Sequence, residues 1–338
     1  MSLRVIALLS CLLLNIYASE EDATQECTFE QYVDEKHKKF SRYVVKVFDN
    51  VDKSISRWVQ ESDDDNETDE DETLTHIDKF FKDEKFIEET QKSFLRLRFG
   101  SEFQSKADEK FRYKIRAQIP LNRTKKSFQL FIEDAEKTYF DPDSPTKAEE
   151  TSAAVGINFF APVYKDIKSK YSIGISSLTP YAKARYSKDF KLDNWVIQPT
   201  QQFKYSLESG WNEETNLYFN RVFVDERSLF RTTLYRKTQS HVDGFDYAVT
   251  FSYFLTLSSK KGFSISQQFW GNSKYKCEVA PQEYNGISNY YTFFSWRQNV
   301  FKQWISIELG PGISFHRQYE YEPNYVFQFN VDFYFGNI

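Results

Sequence analysis

The chain has 338 residues, 18% of them aromatic, and its 33 Phe and 22 Tyr against one Met suit sheets and membrane interfaces better than helices. Eleven glycines leave little material for a phosphate-cradling loop, and four scattered histidines with three cysteines make no zinc site, so neither a cofactor nor a metal is expected. The net charge of −5 is unevenly spread: residues 1–92 hold 12 Lys and Arg against 23 Asp and Glu, net −11, and residues 93–338 hold 32 against 26, net +6.

The opening "MSLRVIALLSCLLLNIYASEE" has Arg4, an apolar run from Val5 to Leu14, and the small residues Ala18 and Ser19. This pattern predicts a signal peptide over residues 1–18, cleaved after Ala18, with Ile16 at the −3 position. The run is too short for a bilayer-spanning helix. Cys11 in "LLSC" lies inside the apolar run, too early for a lipoprotein signal. The mature chain keeps Cys27 and Cys277, compatible with one disulfide in an oxidising compartment, although Cys277 could equally stay a free thiol.

Residues 19–92 read as an acidic, partly helical segment. From Thr28 to Gln60 apolar residues recur in steps of three and four, among them Phe40, Tyr43, Val44, Val47, Phe48 and Val51, which predicts an amphipathic helix. "ESDDDNETDEDE", residues 61–72, lacks the spacing and central glycine of an EF-hand and reads as a disordered linker. A short amphipathic helix with Ile77, Phe80, Phe81, Phe86 and Ile87 follows. His37 and His76 of this head are expected to be solvated.

At Ser93 the period changes to two and stays there. "FLRLRFGSEF" sets Leu95, Leu97, Phe99 and Phe103 against Arg96 and Arg98; "FRYKIRAQIPL" sets Tyr113, Ile115 and Ile119 against Arg112, Lys114 and Arg116. "SFQLFIED" comes next, then segments near 152–163, 171–187, 193–207, 211–223, 228–238, 245–257, 262–270, 290–299, 303–316 and 324–335. Polar links such as "NRTKK", "DERS" and "SSKK" separate them, and no intervening helices allow a βαβ sheet. That makes thirteen candidate strands, with alternation blurred between 211 and 238.

Most of these strands are longer than those of globular sheets, and aromatics sit near many strand ends, as in "NWVIQ", "NYYTF" and "DFYF". The span 93–338 resembles the outer-membrane β-barrels of Gram-negative bacteria, and "FQFNVDFYF" is similar to the C-terminal strand those proteins present to the barrel assembly machinery. The resemblance implies an all-β, antiparallel transmembrane barrel in the outer membrane, with membrane lipid and the assembly machinery as partners and the segment 19–92 in the periplasm. No nucleic-acid partner is expected. Such single-chain barrels have even strand numbers, which predicts 12 strands, with 14 as the alternative. A soluble periplasmic β-sandwich that binds a ligand remains the other architecture.

In a barrel the cations must face inward, since one on the lipid side at mid-depth costs about 2–4 kcal/mol. Alternation then assigns Arg96, Arg98, Arg112, Lys114, Arg116, Lys183, Arg185 and Lys204 to the lumen, with Glu133, Glu308 and Asp332 beside them. Such a lumen is either a salt-bridged, hydrated filling or a basic, anion-attracting pore. The acidic head could also dock into it as a plug. Ser314 and His316 in "GISFHRQ" share one strand face and are weak candidates for a nucleophile and its base, the alternative being a lipid-modifying hydrolase. They reverse the His-before-Ser order of known outer-membrane lipid hydrolases. The expected role is structural or a narrow channel.

Overall fold

The computed structural model describes residues 27–56, 76–82, 85, 89–90, 92–121, 128–135, 152–223, 226–240, 242–275, 284–300 and 304–336. The expected signal peptide, the acidic run at 61–72 and Cys277 lie outside these residues, as does the side chain of Cys27, and with them the expected disulfide. Two helices come first, α1 (Cys27–Ser56) and a short α2 (His76–Phe81).

The chain then runs as an antiparallel meander: β1 (Phe94–Gln104), β2 (Lys110–Pro120), β3 (Phe128–Ala135), β4 (Ser152–Tyr164), β5 (Ile167–Ser176), β6 (Thr179–Lys188), β7 (Phe190–Leu192) and β8 (Trp195–Ser206). It continues through β9 (Gly210–Val222), β10 (Ser228–Gln239), β11 (Val242–Ser258), β12 (Lys261–Tyr275), β13 (Tyr284–Asn299), β14 (Ile305–His316) and β15 (Pro323–Gly336). The sheet closes where β1 pairs with β15, from Phe94 opposite Gly336 to Gln104 opposite Val326. The three-residue β7 continues β6, and both pair with β8. The 15 assigned strands therefore occupy 14 positions around the wall.

The preferred number of 12 strands is thus corrected to 14. All thirteen candidate segments carry strands, and the missing one hides inside 171–187. There Ser177 and Leu178 adopt left-handed φ angles of 48° and 66° and turn β5 back into β6. A two-residue turn with both φ positive matches the twist of a hairpin, but its usual signature is Asn-Gly. Ser-Leu carries no such signal. Left-handed φ costs an L-residue about 1–2 kcal/mol. Ser177→Asn with Leu178→Gly should therefore raise the unfolding midpoint, by roughly 1 kcal/mol after the entropy that glycine gains in the unfolded chain. Urea titration of the detergent-folded barrel reads this directly.

The blurred segments 211–223 and 228–238 form complete strands, β9 and β10. Their outward faces carry Glu213, Thr215, Thr232 and Arg236 among the apolar residues, which dilutes the alternation. Gln201 on β8 donates to Glu213 at 3.0 Å and accepts from the Thr215 hydroxyl at 2.7 Å on that same face. Elsewhere the outer wall is mostly apolar, with Ile173, Val155, Phe251 and Tyr325 exposed on it and Gln267 and Thr292 as a bonded polar pair. One closed sheet has no second sheet to pack on, so the sandwich alternative is removed. Closure gives every position in the wall a neighbour on both sides among the described residues, as a hydrocarbon surround requires, with β2 and β3 paired only over Ala117–Pro120. Because the strand number is even, Phe94 and Gly336 lie at one end, called here the terminal end.

Candidate functional site: the occupied lumen

Register fixes which residues point inward. At the terminal end the inner row of β1, β13, β14 and β15 brings Arg96, Arg98, Arg297, Glu308 and Asp332 together. Asp332 accepts from Arg96 Nε at 3.1 Å, from Arg98 Nε and Nη2 at 2.7 and 2.8 Å, and from Arg297 Nη1 at 3.4 Å. Glu308 takes Arg297 at 3.4 Å and Arg98 at 3.6 Å. Arg297 also donates to the Ser306 hydroxyl at 2.6 Å and to the Tyr334 hydroxyl at 3.3 Å. Three guanidiniums thus share two carboxylates in a buried knot.

A wall of 14 strands is too wide for its own side chains to fill, since eight already suffice for a filled interior. Residues of α2 and the described residues that follow it, Lys82, Lys85 and Glu89, stand in the gap. Ile77 and Phe81 bury against the inner residue Leu229, with Phe80, Val222 and Phe254 around them. Gly262 on β12 makes this fit possible, because a Cβ there would stand 2.7 Å from Phe80 Cε1. Asp78 accepts from Arg231 Nη2 at 2.6 Å, and Arg231 also donates to Asn220 at 2.6 Å. Further on, Lys82 Nζ sits 3.7 Å from the centre of the Tyr334 ring. Lys85 pairs with Glu89 at 2.8 Å, and Glu89 reaches Arg185 on β6 at 3.7 Å. The described residues of the segment 76–90 therefore touch β6, β9 to β12 and β15, walls on opposite sides of the lumen.

The sequence-derived residues fall around this plug as follows. Arg96 and Arg98 belong to the knot, while Arg116 and Lys114 stand opposite them on β2. Arg112 pairs with Glu102 at 3.3 Å. Lys183 on β6 faces Lys204 on β8, and Lys204 lies over the Tyr181 ring at 4.7 Å. Arg185 meets Glu89 of the plug. The side chain of Glu133 lies outside the described residues. Between the basic residues of β2 and β6, Gln118, Gln129, Asn158 and Ser172 form a hydrogen-bonded ladder with links of 3.3, 3.1 and 2.7 Å.

Ser314 and His316 are fully buried on the inner row of β14. Asn324 donates to Ser314 Oγ at 3.3 Å, and His316 Nδ1 accepts the Gln318 amide at 3.2 Å, capping the turn Arg317–Tyr319. Both side chains thereby stitch the β14–β15 connection. The sequence reading named neither Arg231 nor Arg297. For Arg297 the signal was present, since alternation through "SWRQN" places Ser295 and Arg297 on one face.

Lys82 lies on the plug rather than on a strand. Burial, with Arg297 and Arg96 close by, pulls its ammonium down from 10.5 to about 7, against the opposing pull of Asp332. When the plug leaves the lumen, Lys82 regains its ordinary value. Between pH 7 and 10.5 the released state then holds the extra proton, so docking strengthens as pH rises through that window and is weakest at pH 7 and below. Release, read as the mobile fraction of a spin label at the exposed position Lys79→Cys, should be more frequent at pH 6 than at pH 9. Lys82→Met should remove that difference.

No protein-family model matches the sequence, and no curated protein matches it. Among solved structures, OmpT of Vibrio cholerae is 8% identical, with 72% of this chain and 96% of that one covered at a TM-score of 0.44. OccK11 (OpdR) of Pseudomonas aeruginosa is 6% identical, with 73% and 96% covered at a TM-score of 0.43. Both are β-barrels, and the likeness is one of barrel shape alone.

Proposed function

We propose that the chain is an outer-membrane channel with a basic lumen, kept closed by its own segment 76–90. The observation that carries this reading is the plug itself, tied to both sides of the lumen through Asp78–Arg231, Lys82–Tyr334 and Glu89–Arg185. The apolar outer wall and the closed sheet support the membrane setting. In this reading the terminal end faces the periplasm, where short turns belong. Lys165-Asp166 and Ser259-Lys260 are such turns, whereas the opposite end carries the longer connections 136–151 and 276–283.

Arg112, Lys114, Arg116, Lys183, Arg185 and Lys204 form a basic arc from β2 to β8. Glu89 of the plug supplies a carboxylate to that arc. Displacing the plug exposes the arc to solution, and a ring of cations favours anions. The test is the reversal potential of the reconstituted protein in a planar bilayer under a salt gradient. Openings that reverse on the anion side are expected. Reversal on the cation side, or silence after the plug is removed, refutes the channel reading. Membrane residence is checked separately by faster migration of unboiled protein on SDS gels.

A further inference from the structure

The outward residues of β2 change character along the strand. Phe111 and Tyr113 are 73% and 68% exposed, but Ala117, Ile119 and the following Leu121, on the same face, are only 4%, 9% and 3% exposed. These covered residues lie at the terminal end, where α1 packs against β2 and β15. An aromatic stack pins the helix there. The His37 ring lies parallel to Trp304 at 3.9 Å and 5.1 Å from Phe335, and its Nε2 bonds the Tyr334 carbonyl at 2.9 Å. Phe40 meets Phe335 edge-on at 4.8 Å. Phe335 points outward, because its neighbour Tyr334 is paired with the inward Arg96. The helix therefore rests on the apolar outer wall, not in the lumen.

Around the helix axis three faces follow one another. His37, Ser41 and Val44 are turned to the barrel and are covered or half-buried. About a quarter-turn away, Phe40, Tyr43 and Val47, spaced by three and four, form a second apolar stripe that is left exposed. Beyond it come the exposed cations Lys39, Arg42 and Lys46, with Lys39 held by Glu35 at 2.9 Å. A greasy stripe next to the lipid-facing wall and flanked by cations is the pattern of a helix lying at a membrane surface, with long basic side chains reaching back to the headgroups.

We propose that α1 is an interfacial helix embedded in the leaflet at the terminal end of the barrel, with Phe40, Tyr43 and Val47 among the acyl chains and Lys39, Arg42 and Lys46 at the lipid phosphates. The stripe continues the outer belt from Phe335, so the occupant is the lipid that already surrounds that belt. The inference rests on the membrane-barrel reading above.

The test uses the mature chain with Cys27→Ser and Cys277→Ser, reconstituted in phosphatidylcholine–phosphatidylglycerol vesicles. Single spin labels are placed through Tyr43→Cys, Lys38→Cys or Ile173→Cys, all at exposed positions. Collision with oxygen, which concentrates in lipid, is compared with collision with a water-soluble nickel chelate. Labels at 43 and 173 should favour oxygen several-fold more than the label at 38. A label at 43 that favours nickel, or is shielded from both reagents, while 173 favours oxygen overturns the helix proposal alone. Nickel preference at 173 overturns the membrane barrel itself.

Discussion

In the proposed channel, replacing Asp78 by Asn and Glu89 by Gln in one chain should make openings far more frequent. Each substitution removes the acidic half of an ion pair between plug and wall, Asp78 from Arg231 at 2.6 Å and Glu89 from Arg185 at 3.7 Å. The first pair is almost wholly buried, with side-chain exposures of 6% and 3%. Breaking such a pair from one side costs about 3–5 kcal/mol, because the partner is left charged and dry. Release of the plug relieves that cost by admitting water to Arg231, so the loss falls on the closed state alone. Taking roughly 3 kcal/mol as the net bias, the open-to-closed ratio shifts about 100-fold. The apolar anchor of Ile77 and Phe81 on Leu229 remains, so the segment should still rebind and the channel flicker. Deleting residues 19–92 removes that anchor too and should give steady conductance. A deletion that leaves conductance unchanged would show that the lumen is closed by something other than this segment.

The fold was largely legible, and the site only in outline. The change of period at Ser93 marks the start of the barrel, because a strand buried in lipid on one face and wet on the other must alternate. The count of 12 was preferred over its alternative of 14 because hairpin prediction leans on glycine, while the Ser177-Leu178 turn accepts left-handed strain without it. The opposed charges of head and body suggested a plug, yet charge is a bulk property and could not say which acids enter. Asp78 and Glu89 do so because the chain must return to the terminal end at Phe94, which confines the inserted loop to the residues just before β1. Phe80 and Phe81 were legible as the apolar face of a helix. That this face meets Leu229 and Gly262 across a lumen is a tertiary fact no periodicity carries.

Asp332→Ala should be the most destabilising single substitution in the wall, costing about 3–5 kcal/mol. Its carboxylate is 1% exposed and receives donors from Arg96, Arg98 and Arg297. Without it the one carboxylate left beside the three guanidiniums among the described residues is Glu308, which is 21% exposed and contacts two of them at 3.4 and 3.6 Å. The cations cannot escape by leaving the wall, since register pins Arg98 opposite position 332 and Arg297 opposite Glu308. Water would have to enter between β1, β14 and β15, at the seam where the barrel closes. Glu308→Ala should cost much less, because its partners keep Asp332 and Glu308 already meets solvent. Combining Asp332→Ala with Arg98→Ala removes one of the stranded cations and should recover part of the loss, giving a coupling that a double-mutant cycle resolves. The temperature at which unboiled protein loses its fast gel migration orders the wild type, the three single variants (Arg98→Ala included) and the double variant. If Asp332→Ala melts no earlier than Glu308→Ala, the three arginines are held by hydration and the knot does not clamp the seam.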